Sequence, residues 1–512
     1  MIALVGVASA ALFEDMTSTW LGVTGEWTNE VRLADVDADG DLDVLLANGG
    51  DYASPGTPEP SRLFVNDGTG ALTELALPGG PGLARSLAVG DLDGDGLPDI
   101  LVPGAYQRAA RVLAGQAGGG FAVVDRAPAD LQSIGDIELG DVDDDGDLDA
   151  VLVDWGGADP FGSGGGPVLL WRNDGGVLTA DAGAFPAVAV GMSWDLTLAD
   201  VDGDFDLDVL VSSKLDGNGR LFLNDGTGGF TDASERLPAA SNNYQYEPVD
   251  LDADGDLDLL TINDGNGSRN RVLVNDGSGT FTAATAEWLG GGANLTEDDN
   301  VALALDADGD GDPDVVVGSL SGPDRLLINE GGHFALQAGS AFGGPFTGGT
   351  LALALGDLDG DGKLDAFMGQ GEAADREKVY RGTDIAADVL PPVLAGVEPV
   401  PTAFPARWHL RAHDRQTPVR AEDLRVELVQ AGVRTAFRHL GGDVFAVELP
   451  GAGGEVCMTD RAGNEGCFAL GDGPPPPPTP TPTDPDPVEE PAGCGCAQGL
   501  VPTGILGLLT RR

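Results

Sequence analysis

Apolar runs of three to six residues, rich in Val, Leu and Ile, recur along this chain between stretches of Gly, Asp and Asn. Val44-Leu45-Leu46, Ile100-Leu101-Val102, Val151-Leu152-Val153 and Val315-Val316-Val317 are too short for helices and are bounded by turn residues, so they predict β-strands. A strand such as Val31-Arg32-Leu33-Ala34 precedes each run. A third strand follows it, as in Arg62-Leu63-Phe64-Val65, Arg220-Leu221-Phe222-Leu223, Arg271-Val272-Leu273-Val274 and Arg325-Leu326-Leu327-Ile328. These end at Asn66-Asp67-Gly68, Asn224-Asp225-Gly226, Asn275-Asp276-Gly277 and the variant Asn329-Glu330-Gly331; Asn173-Asp174-Gly175 is a further copy. Asn-Asp-Gly between apolar runs marks a hairpin, so a fourth strand is predicted after it.

Between the first and second strand of every unit lies an acidic loop of the form D-x-D-x-D-G-x-x-D. Its seven copies begin at Asp35, Asp91, Asp141, Asp200, Asp250, Asp306 and Asp357, with successive starts 56, 50, 59, 50, 56 and 51 residues apart. Four strands in a unit of roughly 50 residues, repeated seven times, predict an all-β, seven-bladed β-propeller. The last unit lacks a fourth strand, and Leu12 to Thr17 resembles one, so the N-terminus is expected to complete that blade and close the ring.

The loop pattern points to a hard divalent cation. Positions 1, 3, 5 and 9 supply carboxylates and position 7 a backbone carbonyl, an all-oxygen set of loose geometry that suits calcium better than magnesium. The candidate ligands are Asp35, Asp37, Asp39, Asp41 and Asp43; Asp91, Asp93, Asp95, Leu97 and Asp99; and Asp141, Asp143, Asp145, Asp147 and Asp149. They continue with Asp200, Asp202, Asp204, Asp206 and Asp208; Asp250, Asp252, Asp254, Asp256 and Asp258; Asp306, Asp308, Asp310, Asp312 and Asp314; and Asp357, Asp359, Asp361, Lys363 and Asp365. Leu97 and Lys363 enter through their carbonyls. An EF-hand is excluded: position 12 is never Glu, and the flanks are strands rather than helices. The fourth copy carries Phe205 where the others have Gly, and a bulky residue at positive φ costs about 1–2 kcal/mol, so this site is expected to be the weakest.

Charge sharpens the picture. The chain has 512 residues and a formal charge of −57, and the seven loops hold 34 of its 84 acidic residues. Such a surface repels nucleic acid and anionic membrane and suits an extracellular, calcium-rich setting. The four cysteines lie outside the repeats, at 457, 467, 494 and 496. A Cys457–Cys467 disulfide across a turn is expected in an oxidising compartment, free thiols being the alternative.

Beyond the repeats the pattern changes. Residues 390–472 alternate apolar and polar positions, as in Leu424-Arg425-Val426-Glu427-Leu428, and predict a small β-sandwich. Residues 473–492 form a Pro-rich extended linker. Residues 1–11 read as the remnant of a secretory signal, with Ala8-Ser9-Ala10 as its cleavage site; a disordered or strand-forming N-terminus is the alternative.

The repeats of residues 12–384 resemble the VCBS/FG-GAP repeats of bacterial surface proteins and, more distantly, the propeller of integrin α subunits. That resemblance implies calcium at positions 1, 3, 5 and 9 of each loop. The segment around Pro391-Pro392-Val393 and Thr459 to Asn464 resembles bacterial Ig-like domains. Residues 493–512, with Cys494-Gly495-Cys496, an apolar run and Arg511-Arg512, resemble myxobacterial C-terminal sorting signals, which implies anchoring at the outer membrane or cell surface.

Nothing in the sequence carries catalytic spacing. The four histidines, at 333, 409, 413 and 439, are expected at the surface, and no nucleophile, phosphate-loop or zinc motif occurs. A ligand face is expected on the loops opposite the acidic ones, where Tyr52, Trp155, Phe161, Trp194, Tyr244 and Tyr246 could contact a sugar or protein, packing among loops being the alternative. The function these features predict is calcium-dependent adhesion or ligand binding by a secreted or cell-surface protein, with no enzymatic activity. An extracellular enzyme acting on polysaccharide or lipid and a structural envelope scaffold are the alternatives.

Overall fold

The computed structural model describes residues 11–470 apart from 23, 52–53, 215–218, 240–241, 266–268, 291, 338–340, 344–348, 372–376, 401–405, 419–420 and 450–453. Tyr52, Cys494, Cys496, the 1–10 segment and the tail from 471 onward therefore lie outside the described residues.

Seven four-stranded antiparallel sheets form a β-propeller. Blade 1 runs Thr28–Ala34, Asp43–Asn48, Arg62–Val65 and Thr73–Leu75. Blade 4 runs Leu196–Ala199, Asp208–Val211, Arg220–Asn224 and Phe230–Asp232. In each blade the second strand is the most buried: Asp43–Asn48 and Asp314–Ser319 are buried at every position, which explains their unbroken apolar run. Blade 7 takes three strands from Thr350–Gly356, Asp365–Gln370 and Lys378–Gly382 and its outer strand from Phe13–Asp15, paired antiparallel with Phe13 opposite Gly382. Phe13 is fully buried and stacks on Phe342 at 4.8 Å, so side-chain burial backs this short closing strand.

The inner strands are sheet edges facing the channel, and their free amides need acceptors. Side chains of neighbouring blades supply them. Glu30 accepts from the Leu87 amide at 3.0 Å, Asp136 from Leu196 at 2.7 Å, Gln245 from Ala302 at 2.7 Å and Glu247 from Ala304 at 3.1 Å.

After the propeller come two more four-stranded antiparallel sheets. One is ordered Val393–Val400, Ala406–His413, Val444–Leu449, Arg438–Gly441, the other Val433–Ala436, Arg425–Gln430, Glu455–Thr459, Glu465–Ala469. Leu410, Val426, Leu428, Phe445, Val456 and Met458 fill one core between them. Cys457 and Cys467 stand opposite each other on adjacent strands and are disulfide-bonded. Among the described residues, no helix is long and apolar enough to cross a membrane.

Candidate metal loops

Each acidic loop is built by its own aspartates. The first aspartate folds back on the loop: Asp35 accepts from the amides of Asp39 at 3.1 Å and Gly40 at 3.0 Å, and Asp357 from Gly360 and Gly362, both at 2.8 Å. The aspartate at position 5 accepts from the seventh residue's amide, as Asp39 does from Asp41 at 3.0 Å and Asp361 from Lys363 at 3.1 Å. Two left-handed residues make this possible. Position 6 has φ of +101° at Gly40 and +69° at Phe205, and position 4 is left-handed as well, with φ of +62° at Ala38 and +58° at Asp144. The sequence pattern signalled only the first of the two.

The aspartate at position 9, 0–1% exposed in all seven loops, ties the loop to the blade. Asp208 accepts from Val201 at 3.2 Å with one oxygen and from Asn224 at 2.9 Å with the other; Asp314 does the same with Ala307 at 2.8 Å and Asn329 at 2.7 Å.

Positions 1, 3 and 9 converge. Asp91, Asp93 and Asp99 bring carboxylate oxygens within 4.8 Å of one another, as do Asp141, Asp143 and Asp149, and Asp200, Asp202 and Asp208; in the first loop Asp35, Asp37 and Asp39 do so. The aspartate at position 3 carries the telling oxygen. Oδ1 of Asp143, Asp202 and Asp359 is buried without a hydrogen-bond donor, as is Oδ2 of Asp149. A buried, unpaired carboxylate oxygen is costly unless a cation meets it. The other oxygen of the position-3 aspartate faces an arginine in several loops: Arg126 on Asp93, Arg172 on Asp143, Arg236 on Asp202 at 3.8 Å and Arg381 on Asp359 at 2.7 Å. An outer cation of this kind orients the carboxylate and leaves its inner oxygen free. The donor set fits a divalent cation.

At position 7 the side chain turns away from this centre. A Cβ on Gly277 would lie 2.4 Å from Asp256 Oδ2, and the Gly175 amide donates to Asp147 Oδ2 at 2.9 Å, so the hairpin glycine is needed for close approach. The Lys363 ammonium reaches the Thr383 carbonyl. The backbone carbonyl is then the group that position 7 has to offer.

Without a cation these loops are electrostatically tense. Burial, with neighbouring carboxylates adding to it, pushes Asp43, Asp149, Asp314 and Asp365 up to about 7 and Asp258 up to about 8.

Sequence reasoning missed a second use of the Asn-Asp-Gly turn. Its asparagine is buried and bridges two blades: Asn224 Nδ2 donates to Val142 O at 2.9 Å and Leu207 O at 3.2 Å, and Asn275 Nδ2 to Val201 O at 2.8 Å and Leu257 O at 3.1 Å. Each amide thus joins its own acidic loop to that of the preceding blade. The regular recurrence of Asn was the available signal, and its strength as a turn former masked it.

The expected aromatic ligand face is corrected in part. Trp155, Tyr244 and Tyr246 are 0%, 1% and 1% exposed, so they are packing residues. Large rings on these loops find more contact inward than in water. Trp194 is half-buried, with the Arg85 guanidinium 4.3 Å above its ring and Tyr244 edge-on at 5.3 Å. Phe161 is exposed. His409, expected at the surface, is buried 3.4 Å from Asp144 Oδ2.

Comparison with known repeat families agrees with this geometry. The FG-GAP-like repeat family matches residues 35–102, 206–261, 250–304 and 306–368, and the FG-GAP repeat family matches residues 83–124. No curated protein matches. Among solved structures, an Agrocybe aegerita lectin described as recognising non-reducing terminal N-acetylglucosamine is 19% identical, with 63% of this chain and 82% of that one covered and a TM-score of 0.39. A Lactobacillus plantarum protein is 15% identical, covering 60% of this chain and 83% of that one, with a TM-score of 0.39. The V. cholerae biofilm matrix protein Bap1 is 15% identical over 90% of this chain and 76% of its own, with a TM-score of 0.37. The loops, the blades and the family matches converge on one statement: this chain carries FG-GAP-type repeats folded as a β-propeller.

Proposed function

We propose that this protein is a secreted or cell-surface, calcium-dependent binding module that holds an extracellular protein or carbohydrate. The carrying observation is the set of convergent acidic loops, whose all-oxygen donors and orphaned inner oxygens suit calcium. Calcium there stabilises the ring from which binding loops project, and extracellular-type affinity, about 10⁻⁴ to 10⁻³ M per site, is expected. The Ig-like reading of the second domain and surface anchoring through the tail belong to the same proposal.

The channel is where the enzyme alternative would be sought. It is a cavity of about 270 Å³ lined by Glu30, Asp136, Glu138, Asp195 and Glu247, an acidic group that an enzyme could employ. These carboxylates already have partners: Arg32 lies between Glu30 and Glu138, Asp136 and Glu247 hold neighbouring amides, and Asp195 faces Thr197 Oγ1 at 3.4 Å. The test is a glycan and extracellular-protein array probed with purified protein in calcium and in chelator. Binding lost on chelation is expected. Binding unaffected by chelation would remove the calcium dependence, and release of sugar from a polysaccharide panel would favour the enzyme.

A further inference from the structure

Two of the seven acidic loops carry, at a left-handed position, a side chain that none of the other loops has there, and both side chains meet the second domain. Loop 141–149 has Asp144 at position 4, where the other loops have Ala or Gly, and loop 200–208 has Phe205 at position 6. Both residues are left-handed without being glycine. Asp144 is held by Arg407, by Arg438 Nη2 at 3.4 Å and by His409 at 3.4 Å. Phe205 is 8% exposed and lies against Gly396, where an added Cβ would come within 3.0 Å of its ring. The first aspartates of the same loops are engaged too. Arg438 reaches Asp141 Oδ2, the Asp141 amide donates to Leu440 O at 2.7 Å, and Arg411 lies 3.6 Å from Asp200 Oδ2 while bonded to Asp443 at 2.9 Å. Gln416 and Asp306 exchange backbone and side-chain bonds of 3.1 and 2.7 Å, and Arg461 donates to Gly40 O at 2.9 Å.

From this geometry we infer that loops 141–149 and 200–208 are a cation-dependent seat for the second domain, so that calcium binding there and docking of the sandwich strengthen each other. This rests on the calcium reading above and adds a coupling to it. The arginines do not take the place of the cation. Asp141 Oδ2 receives Arg438 and the Gly146 amide, while Asp141, Asp143 and Asp149 still offer oxygens within 4.8 Å of one another, as do Asp200, Asp202 and Asp208. Loop 141–149 holds six aspartates, so a divalent ion leaves excess negative charge for Arg438 and Arg407 to offset. A cation also holds in place the backbone on which Leu440 and Phe205 rest. By linkage the effect is reciprocal.

The test is hydrogen exchange on the full chain with calcium and with chelator, alongside calcium titration of the wild type and of Arg438→Ala, Arg438→Lys and Phe205→Gly. Chelation should speed exchange in 438–443 as well as in the seven loops. Arg438→Ala should weaken one or two sites about fivefold or more while sparing the rest, with partial rescue in Arg438→Lys. Faster exchange in the other five loops with 438–443 unmoved would overturn the coupling alone. No change in any loop would overturn the calcium reading with it. A variant that fails to fold is replaced by the exchange comparison on wild type, which decides the matter by itself.

Discussion

The aspartate at position 9 of each loop is buried and ties the loop to its blade. Asp258 takes the amides of Leu251 at 3.3 Å and Asn275 at 2.8 Å, yet its burial pushes it up to about 8. The sign of the pH effect follows. A carboxyl group whose pKa is raised in the folded state keeps a proton that the unfolded chain has lost, so its contribution to stability is full below about pH 4 and disappears as pH rises through 7 to 8. In chelator, thermal unfolding should therefore occur at a higher temperature near pH 5 than near pH 8. Saturating calcium should reverse that order, because the ion favours the ionised ligands and binding at neutral pH releases protons. Calorimetry at the two pH values checks both. The bridging asparagines give a second prediction at this scale. Asn224→Ala leaves the Val142 and Leu207 carbonyls without their donor, and a loss of about 1–3 kcal/mol in denaturant unfolding is expected.

At the level of the loop, Phe205 changes meaning once the fold is known. Read alone, it strains a turn by about 1–2 kcal/mol, and glycine should relieve it. In the structure the loop closes with the same bonds as the others, Phe205 N to Asp200 at 3.0 Å and Gly203 N to Asp200 at 2.8 Å, while the ring is buried against the second domain. Removing a buried phenylalanine costs about 3–5 kcal/mol, which exceeds the strain relieved. Phe205→Gly is thus expected to lower stability by about 2 kcal/mol, measured by denaturant unfolding in calcium. A gain would show that the ring is strained more than it is packed.

For the molecule as a whole, closure depends on three residues, Phe13–Asp15, paired with Lys378–Gly382. Removing residues up to 16 would expose Lys378–Gly382 as an open edge and empty the pocket that Phe13 shares with Phe342 and Tyr380. The truncated chain is expected to unfold at a lower temperature and to aggregate, as light scattering would report. The propeller and the sandwich pack as one compact unit, so chelation should also loosen the second domain.

The amino-acid sequence alone determined the repeat, the blade count, the strand order within a blade and the spacing of the acidic loops. Those features are local: strand alternation, hairpin glycines and carboxylate spacing are properties of ten to twenty consecutive residues. Only the tertiary structure decided which aromatics face inward, what Asn224 and Asn275 bridge beyond their turns, and what Asp144 and Phe205 touch. Each of those depends on a partner dozens to hundreds of residues away, such as Val142 for Asn224 or Arg438 for Asp141, and no periodicity in the chain records such a pairing.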